Sequence, residues 1–214
     1  MFWSRSKRNF IEMAIQKTLP VMEEFLTIQG EGANAGQVAY FIRLAGCDVG
    51  CSWCDVKESW DKNEHPEKSI AELVKNAKDS GSPNVVVTGG EPTLYNLEDL
   101  TLELKNEGLQ TWIETSGTNT ITGIWDWICL SPKKFKAPLA ESLLLADELK
   151  VIVLNKSDLK WAETMVPQLA SNCNLYMQPE WSKKEKASDL IIDYVKKHPE
   201  WRVSLQTHKY LDIP

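Results

Sequence analysis

The sequence predicts an α/β fold, a partial (βα) barrel of parallel strands with the functional site at their C-terminal ends. Two observations carry this. From about Gly36 onward, short β-branched and apolar runs alternate with amphipathic helical patterns, and nearly every run is followed by a polar or glycine-rich cluster. Parallel neighbours need crossover connections, and in a barrel of such strands the clusters gather on one rim. An open doubly wound sheet is the alternative. The chain has 214 residues, 43% of them hydrophobic, enough for one sizeable core. One catalytic domain over residues 19–214 is expected, preceded by a mixed-charge extension, residues 1–18, with no assigned function.

The strands are expected at 38–44, 84–88, 109–114, 127–130, 149–154, 175–178 and 201–206, with their polar clusters at 45–55, 89–92, 115–118, 131–133, 155–158, 179–181 and 207–209. Between them, Ser69 and Glu72 read as a capping box. Ile70, Val74 and Ala77 line one face of the helix that follows, and Gly81 with Pro83 ends it. Asn96 and Gly108 bracket a second helix.

The formal net charge of −6 argues against phosphate neutralisation as a binding mode, so no nucleic-acid partner is expected. No apolar run has the length of a membrane span, and charges interrupt the first twenty residues, so a cytoplasmic protein that acts on a small molecule is expected. Cys129 and Cys173 lie in apolar stretches and read as small buried hydrophobes.

Cys47, Cys51 and Cys54 fall within eight residues, a pattern that suits thiolates at a metal rather than a disulfide framework. Gly46 and Gly50 permit the backbone such a loop needs. Three thiolates on a four-iron cubane leave one iron without a protein ligand, open to a chelating small molecule. A zinc site completed by His65 and three cysteines with no metal at all are the bland alternatives, although for zinc the chain lacks a second CxxC or CxxH pair.

The Cys-x3-Cys-x-Trp-Cys run resembles the signature of the radical S-adenosylmethionine (SAM) superfamily, and Thr88-Gly89-Gly90-Glu91-Pro92 resembles its glycine-glycine-glutamate motif. Within that superfamily the chain resembles the 7-carboxy-7-deazaguanine synthases of queuosine and deazapurine biosynthesis. Six segments carry the likeness in order: FLTIQGEG at 25–32, FIRLAGC at 41–47, TGGEP at 88–92, ETSGT at 114–118, SPK at 131–133 and QTHKYLDIP at 206–214.

The resemblance implies a radical SAM barrel and a [4Fe–4S] cluster on Cys47, Cys51 and Cys54. It implies conversion of 6-carboxy-5,6,7,8-tetrahydropterin into 7-carboxy-7-deazaguanine with loss of ammonia. SAM is expected at Trp53, Cys54, Asp55, Gly90, Ser131, Pro132, Lys133, Gln178, Pro179, Glu180 and Trp181. Glu91 would support its ammonium, and Glu114 with Ser116 would reach the ribose. The pterin is expected at Ile28, Gln29, Gly30, Thr88 and His208, with Arg43 on its carboxylate and the Pro214 carboxylate on its guanidine-like edge. A flavodoxin or ferredoxin donor and a homodimer are also implied. The family carries a Mg²⁺-binding hydroxyl where this chain has Val56, which cannot ligate a hard cation, so weak or absent Mg²⁺ stimulation is expected. A glycyl-radical activating enzyme, which shares the cysteine spacing and acts on a protein partner, is the competing function.

Overall fold

The computed structural model describes residues 17–214. The expected extension lies almost wholly outside them. Among the described residues the strands are β1 (Thr18–Ile28), β2 (Val38–Leu44), β3 (Glu67–Ser69), β4 (Asn84–Gly89), β5 (Gln110–Thr115), β6 (Trp127–Leu130), β7 (Glu148–Val153), β8 (Asn174–Pro179) and β9 (Trp201–Val203). The helices are α1 (Ile70–Asp79), α2 (Glu98–Asn106), α3 (Ala140–Leu145), α4 (Lys156–Glu163), α5 (Lys184–Val195) and α6 (Thr207–Leu211). No helix among the described residues is long and apolar enough to cross a membrane.

The strands form one sheet in the order β3-β1-β2-β4-β5-β6-β7-β8-β9. From β2 to β9 every pairing is parallel, while β1 runs antiparallel to both β2 and β3. The sheet does not close, so the fold is the expected partial barrel. β1 and β3 were not expected as strands, and β9 is shorter than the 201–206 read from sequence.

Side chains alternate between the two faces of a strand, and that period of two decides what each face does. Ile42, Leu44, Val85, Val87 and Ile113 turn outward into one core with α1 and α2. Leu149, Val151, Val153, Leu175 and Met177 do the same in a second core with α4 and α5. Their neighbours face the concave side: Phe41, Val86 and Trp112 in its apolar floor, then, one step further toward the C-terminal ends, Arg43, Thr88 and Glu114. The same parity puts Glu148 and Lys150 of β7 on that side.

On α1, Ser69 Oγ accepts from the Glu72 amide (3.2 Å), which is one half of the expected capping box; the Glu72 carboxylate instead lies 3.9 Å from Lys68 Nζ. The helix buries Ile70, Leu73, Val74 and Ala77, and each of the three larger side chains contributes roughly 1.5–3 kcal/mol. In α2, Asn96 Oδ1 accepts from the Glu98 amide at 2.9 Å.

The side of the barrel left open is bridged by chain rather than by strand. Gly32 N donates to Ser204 Oγ (2.9 Å), and Thr207 N donates to the Gly30 carbonyl (2.9 Å). The β1–β2 loop therefore meets the segment leading into α6 over the mouth of the concave face.

Candidate active site

The cysteine loop begins where β2 ends. Its entry is fixed by Gly46 N donating to the Ser59 carbonyl (2.6 Å) and Cys47 N to that of Trp60 (3.2 Å). Gly46 and Gly50 hold φ of +96° and +71°, as the loop was expected to need. The turn after β4 packs directly on it: Gly90 N donates to the Leu44 carbonyl (3.0 Å) and Glu91 N to that of Gly46 (2.8 Å). A Cβ on Gly90 would stand 2.2 Å from the Gly46 carbonyl oxygen. The two motifs are thus one structural unit, and glycine is what allows the main chains to touch.

All three cysteines are free thiols. Burial pushes the Cys51 thiol up, Lys133 opposes this, and the nearby Cys54 and Cys47 add to the rise. Three cysteines on one loop, with the half-buried Lys133 close to Cys51, form a donor set suited to a multiply charged cluster. A single tetrahedral ion requires sulfurs roughly 3.8 Å apart, given a Zn–S bond of about 2.3 Å. Among the described residues, the set with three ligand atoms all within 4.8 Å of one another is Glu163, His198 and Glu200, not the cysteines. His65, the residue invoked to complete a zinc site, has its Nε2 2.7 Å from the Glu58 carbonyl.

A cleft of about 670 Å³ opens over this loop, within the range of small-molecule sites. Cys47, Cys51, Trp53, Cys54 and Asp55 line it from the cysteine loop, Gly90 and Glu91 from the β4 turn, Glu114 and Ser116 from the end of β5. Ser131 and Lys133 follow β6, and Gln178, Pro179, Glu180 and Trp181 close it at β8. A smaller lobe of about 360 Å³ adjoins it, lined by Ile28, Gln29, Gly30, Arg43, Thr88, His208 and Pro214. Arg43, Thr88, Glu114 and Val56 belong to both. Pro132 departs from expectation: it is buried and does not line the cleft, because the chain turns there to carry Lys133 back onto Ser131.

Glu91 also departs from expectation. Its side chain is buried, and its carboxylate is taken up by the protein: Oε1 accepts from the Thr93 amide (3.1 Å), the Thr93 hydroxyl (2.7 Å) and the Thr115 hydroxyl, and Oε2 from the Ser116 amide (2.9 Å) and hydroxyl. It ties the β4 turn to the end of β5 rather than offering a free acceptor. Glu180 similarly caps its own turn, accepting from the Ser182 amide (3.0 Å) and hydroxyl (2.7 Å).

Arg43 donates from Nε to Glu23 (2.6 Å), and its guanidinium carbon lies 5.8 Å from the centroid of the Phe25 ring, which stacks on Phe41. This fixes the plane of the fork while Nε alone is engaged among the described residues. His208 rests on Gly30, where a Cβ would fall 2.3 Å from its Nδ1. Burial lowers the imidazole's pKa, with Glu31 opposing, so the neutral ring is favoured. The Pro214 carbonyl accepts from the Thr27 hydroxyl at 3.1 Å.

Sequence reasoning missed the charge network between the lobes. Lys150 Nζ donates to Glu31 Oε2 (2.7 Å) and Glu114 Oε2 (2.8 Å), with its side chain only 3% exposed. Burial alone would lower the lysine, but Cys129, Glu114, Glu31 and Glu148 around it hold it well above its ordinary value. Gln29 Nε2 donates to Glu114 (3.2 Å), Gln206 Nε2 to Glu31 (2.9 Å), and Lys209 pairs with Asp55 (2.5 Å) across the cleft mouth. A lysine within the apolar run ELKVIVL was the available signal, since a buried lysine must have acidic partners.

Comparison with known proteins agrees with this geometry. Residues 41–129 match the radical SAM superfamily model, spanning the cysteine loop and the β4 turn. The chain is 54% identical to a 7-carboxy-7-deazaguanine synthase of Flavobacterium psychrophilum over 95% of its length and 98% of the relative's. It is 35% identical to one from Escherichia coli, over 91% and 98%. The crystal structure of QueE from Escherichia coli superposes with a TM-score of 0.81 at 32% identity, covering 88% of this chain and 94% of that one. Identity of this extent over nearly whole chains, on a shared fold, places the chain in the 7-carboxy-7-deazaguanine synthase family of the radical SAM superfamily.

Proposed function

We propose that the protein converts 6-carboxy-5,6,7,8-tetrahydropterin into 7-carboxy-7-deazaguanine with loss of ammonia, residues 19–214 forming one catalytic unit. The observation that supports this best is the pair of adjoining lobes. The three cysteines line one, the residues expected at the pterin line the other, and Arg43, Thr88 and Glu114 lie between. Cys47, Cys51 and Cys54 are the residues that would hold a [4Fe–4S] cluster, which would supply the electron for reductive cleavage of SAM.

The chain's own residues position and shield. The Gly90 main chain, seated against the cysteine loop, would offer SAM an acceptor. Trp53 and the Gln178-to-Trp181 turn enclose the adenosyl end. Arg43 grips the pterin carboxylate through a fork already set in plane by Glu23 and Phe25, and neutral His208 offers a donor or acceptor on the opposite wall. Lys209 and Asp55 span the mouth, which favours exclusion of water from the reacting carbon. The Val56 side chain offers no oxygen to a hard cation, so Mg²⁺ stimulation is weak or absent. The reading carries a small one-electron donor of the flavodoxin or ferredoxin kind, a homodimer and a cytoplasmic location.

The test is direct. Reduced, cluster-loaded protein incubated anaerobically with SAM and the carboxytetrahydropterin should yield 7-carboxy-7-deazaguanine by mass spectrometry. Cleavage of SAM with no change in the pterin would refute the substrate.

A further inference from the structure

We propose that Glu31, clamped by Lys150 and Gln206, is a specificity-determining residue that reads the reduction state of the pterin ring. The inference rests on the proposed substrate and goes beyond it in naming what distinguishes that substrate from its oxidised form.

Glu31 lies on the β1–β2 loop and lines both lobes. Its Oε2 accepts from Lys150 Nζ at 2.7 Å and its Oε1 from Gln206 Nε2 at 2.9 Å, and its amide donates to Gln29 Oε1 at 3.1 Å. Lys150 comes from β7 and Gln206 from the segment between β9 and α6, so the two carboxylate oxygens are held by donors from separate parts of the chain. Burial alone would raise this carboxyl. The charge of Lys150 and the hydrogen bonds from Lys150 and Gln206 bring it well below the usual carboxylate range, so it is ionised. An ionised carboxylate offers about four acceptor positions and no donor. Two are used, so one remains on each oxygen, at a side chain 19% exposed to the cleft.

The chemistry of the ring does the rest. A tetrahydropterin carries N5–H and N8–H, both donors. In the fully oxidised pterin the same nitrogens carry lone pairs, which a fixed carboxylate repels. Hydrogen bonds to an ionised acceptor are the stronger kind, and a site built to receive them rejects an analogue that lacks the hydrogens. Arg43 cannot make this distinction, because the ring carboxylate is the same in both forms. The need is real: 6-carboxypterin has the size and charge of the substrate but no hydrogen at C6 to surrender, so it would block the site.

The experiment is anaerobic equilibrium binding of 6-carboxytetrahydropterin and 6-carboxypterin to the cluster-loaded protein with SAM, for the wild type, Glu31→Gln and Gln206→Met. Cluster absorbance and thermal melting check each variant. The wild type should prefer the reduced ring by about a hundredfold or more. In Glu31→Gln the preference should shrink about tenfold or more, with tighter binding of the oxidised ring, because a glutamine amide can turn its NH₂ toward a ring nitrogen. Gln206→Met should shrink it less. A Glu31→Gln protein with full cluster content and an unchanged preference would overturn the inference, as would a wild type that binds both rings equally. If Glu31→Gln does not fold, an unchanged preference in Gln206→Met does the same. A wild type that binds neither ring overturns the substrate itself.

Discussion

Replacing Gly90 by alanine isolates the contact that joins the two motifs. The new Cβ would lie 2.2 Å from the Gly46 carbonyl oxygen, 2.7 Å from its carbon and 2.9 Å from Cys47 Cβ. A carbon and an oxygen need roughly 3.3 Å, so one main chain must retreat by about 1 Å. Neither side yields cheaply, since the Gly90 and Glu91 amides are bonded to the Leu44 and Gly46 carbonyls. Overpacking of this kind costs roughly 1–3 kcal/mol of stability. A displacement of about 1 Å at reacting groups costs on the order of 100-fold in rate. Gly108→Ala is the control: its φ is +77° but a Cβ meets nothing within 4 Å, so it should lose about 1–2 kcal/mol and no specific activity. Iron per chain, melting temperature and product formation by mass should separate the two. A Gly90→Ala protein with full iron content and turnover within twofold of wild type would refute the argument that this contact sets the cysteine loop.

Lys150→Met should destabilise the fold by about 3–5 kcal/mol, because it strands the Glu31 and Glu114 carboxylates without their buried partner; an unchanged urea midpoint would contradict this. Gly30→Ala should drive His208 and α6 away from the β1–β2 loop, weakening pterin binding about tenfold or more while leaving SAM-dependent changes in the cluster spectrum intact. In Asp126, burial raises the carboxyl but hydrogen bonds from Lys105 and Thr111 lower it overall. Its contribution is therefore present above the unfolded carboxylate range and lost as pH falls through the folded value. Asp126→Asn should cost about 0.5–1 kcal/mol near neutrality and progressively less as pH falls through the carboxylate range, read from denaturant midpoints. Turnover in EDTA should equal turnover in millimolar Mg²⁺; strong activation by the metal would require an oxygen ligand that Val56 does not supply.

The strands that were legible in the sequence are those buried on both faces. β4 and β6 read as continuous apolar runs because parallel strands between two layers have no wet side. β1 was not legible, since Pro20, Glu23 and Glu24 interrupt it and one of its neighbours is the three-residue β3. β9 was read three residues too long because Ser204, Leu205 and Gln206 are extended but leave the sheet to meet the β1–β2 loop. The residues 155–158 were read as a polar cluster, yet Asn155 and Asp158 form the capping box of α4. At the site, the cysteine spacing and the glycine pair were legible because their chemistry is local. Glu31, Lys150 and Gln206 were not, because their pairing joins positions 119 and 175 residues apart in the chain. Glu91 and Pro132 were assigned to the ligand from motif position and residue type; what the sequence did not reveal is that both are buried and that Thr93, Thr115 and Ser116 engage the Glu91 carboxylate.

The proposed chemistry requires one cluster iron with no side chain of this protein as its ligand. Electron paramagnetic resonance of the reduced, anaerobically purified protein, with iron quantified at about four per chain, addresses this. Addition of SAM should shift the spectrum as its amino and carboxylate groups take up the open iron. A spectrum indifferent to SAM, or one tightly bound zinc per chain in place of iron, would contradict it.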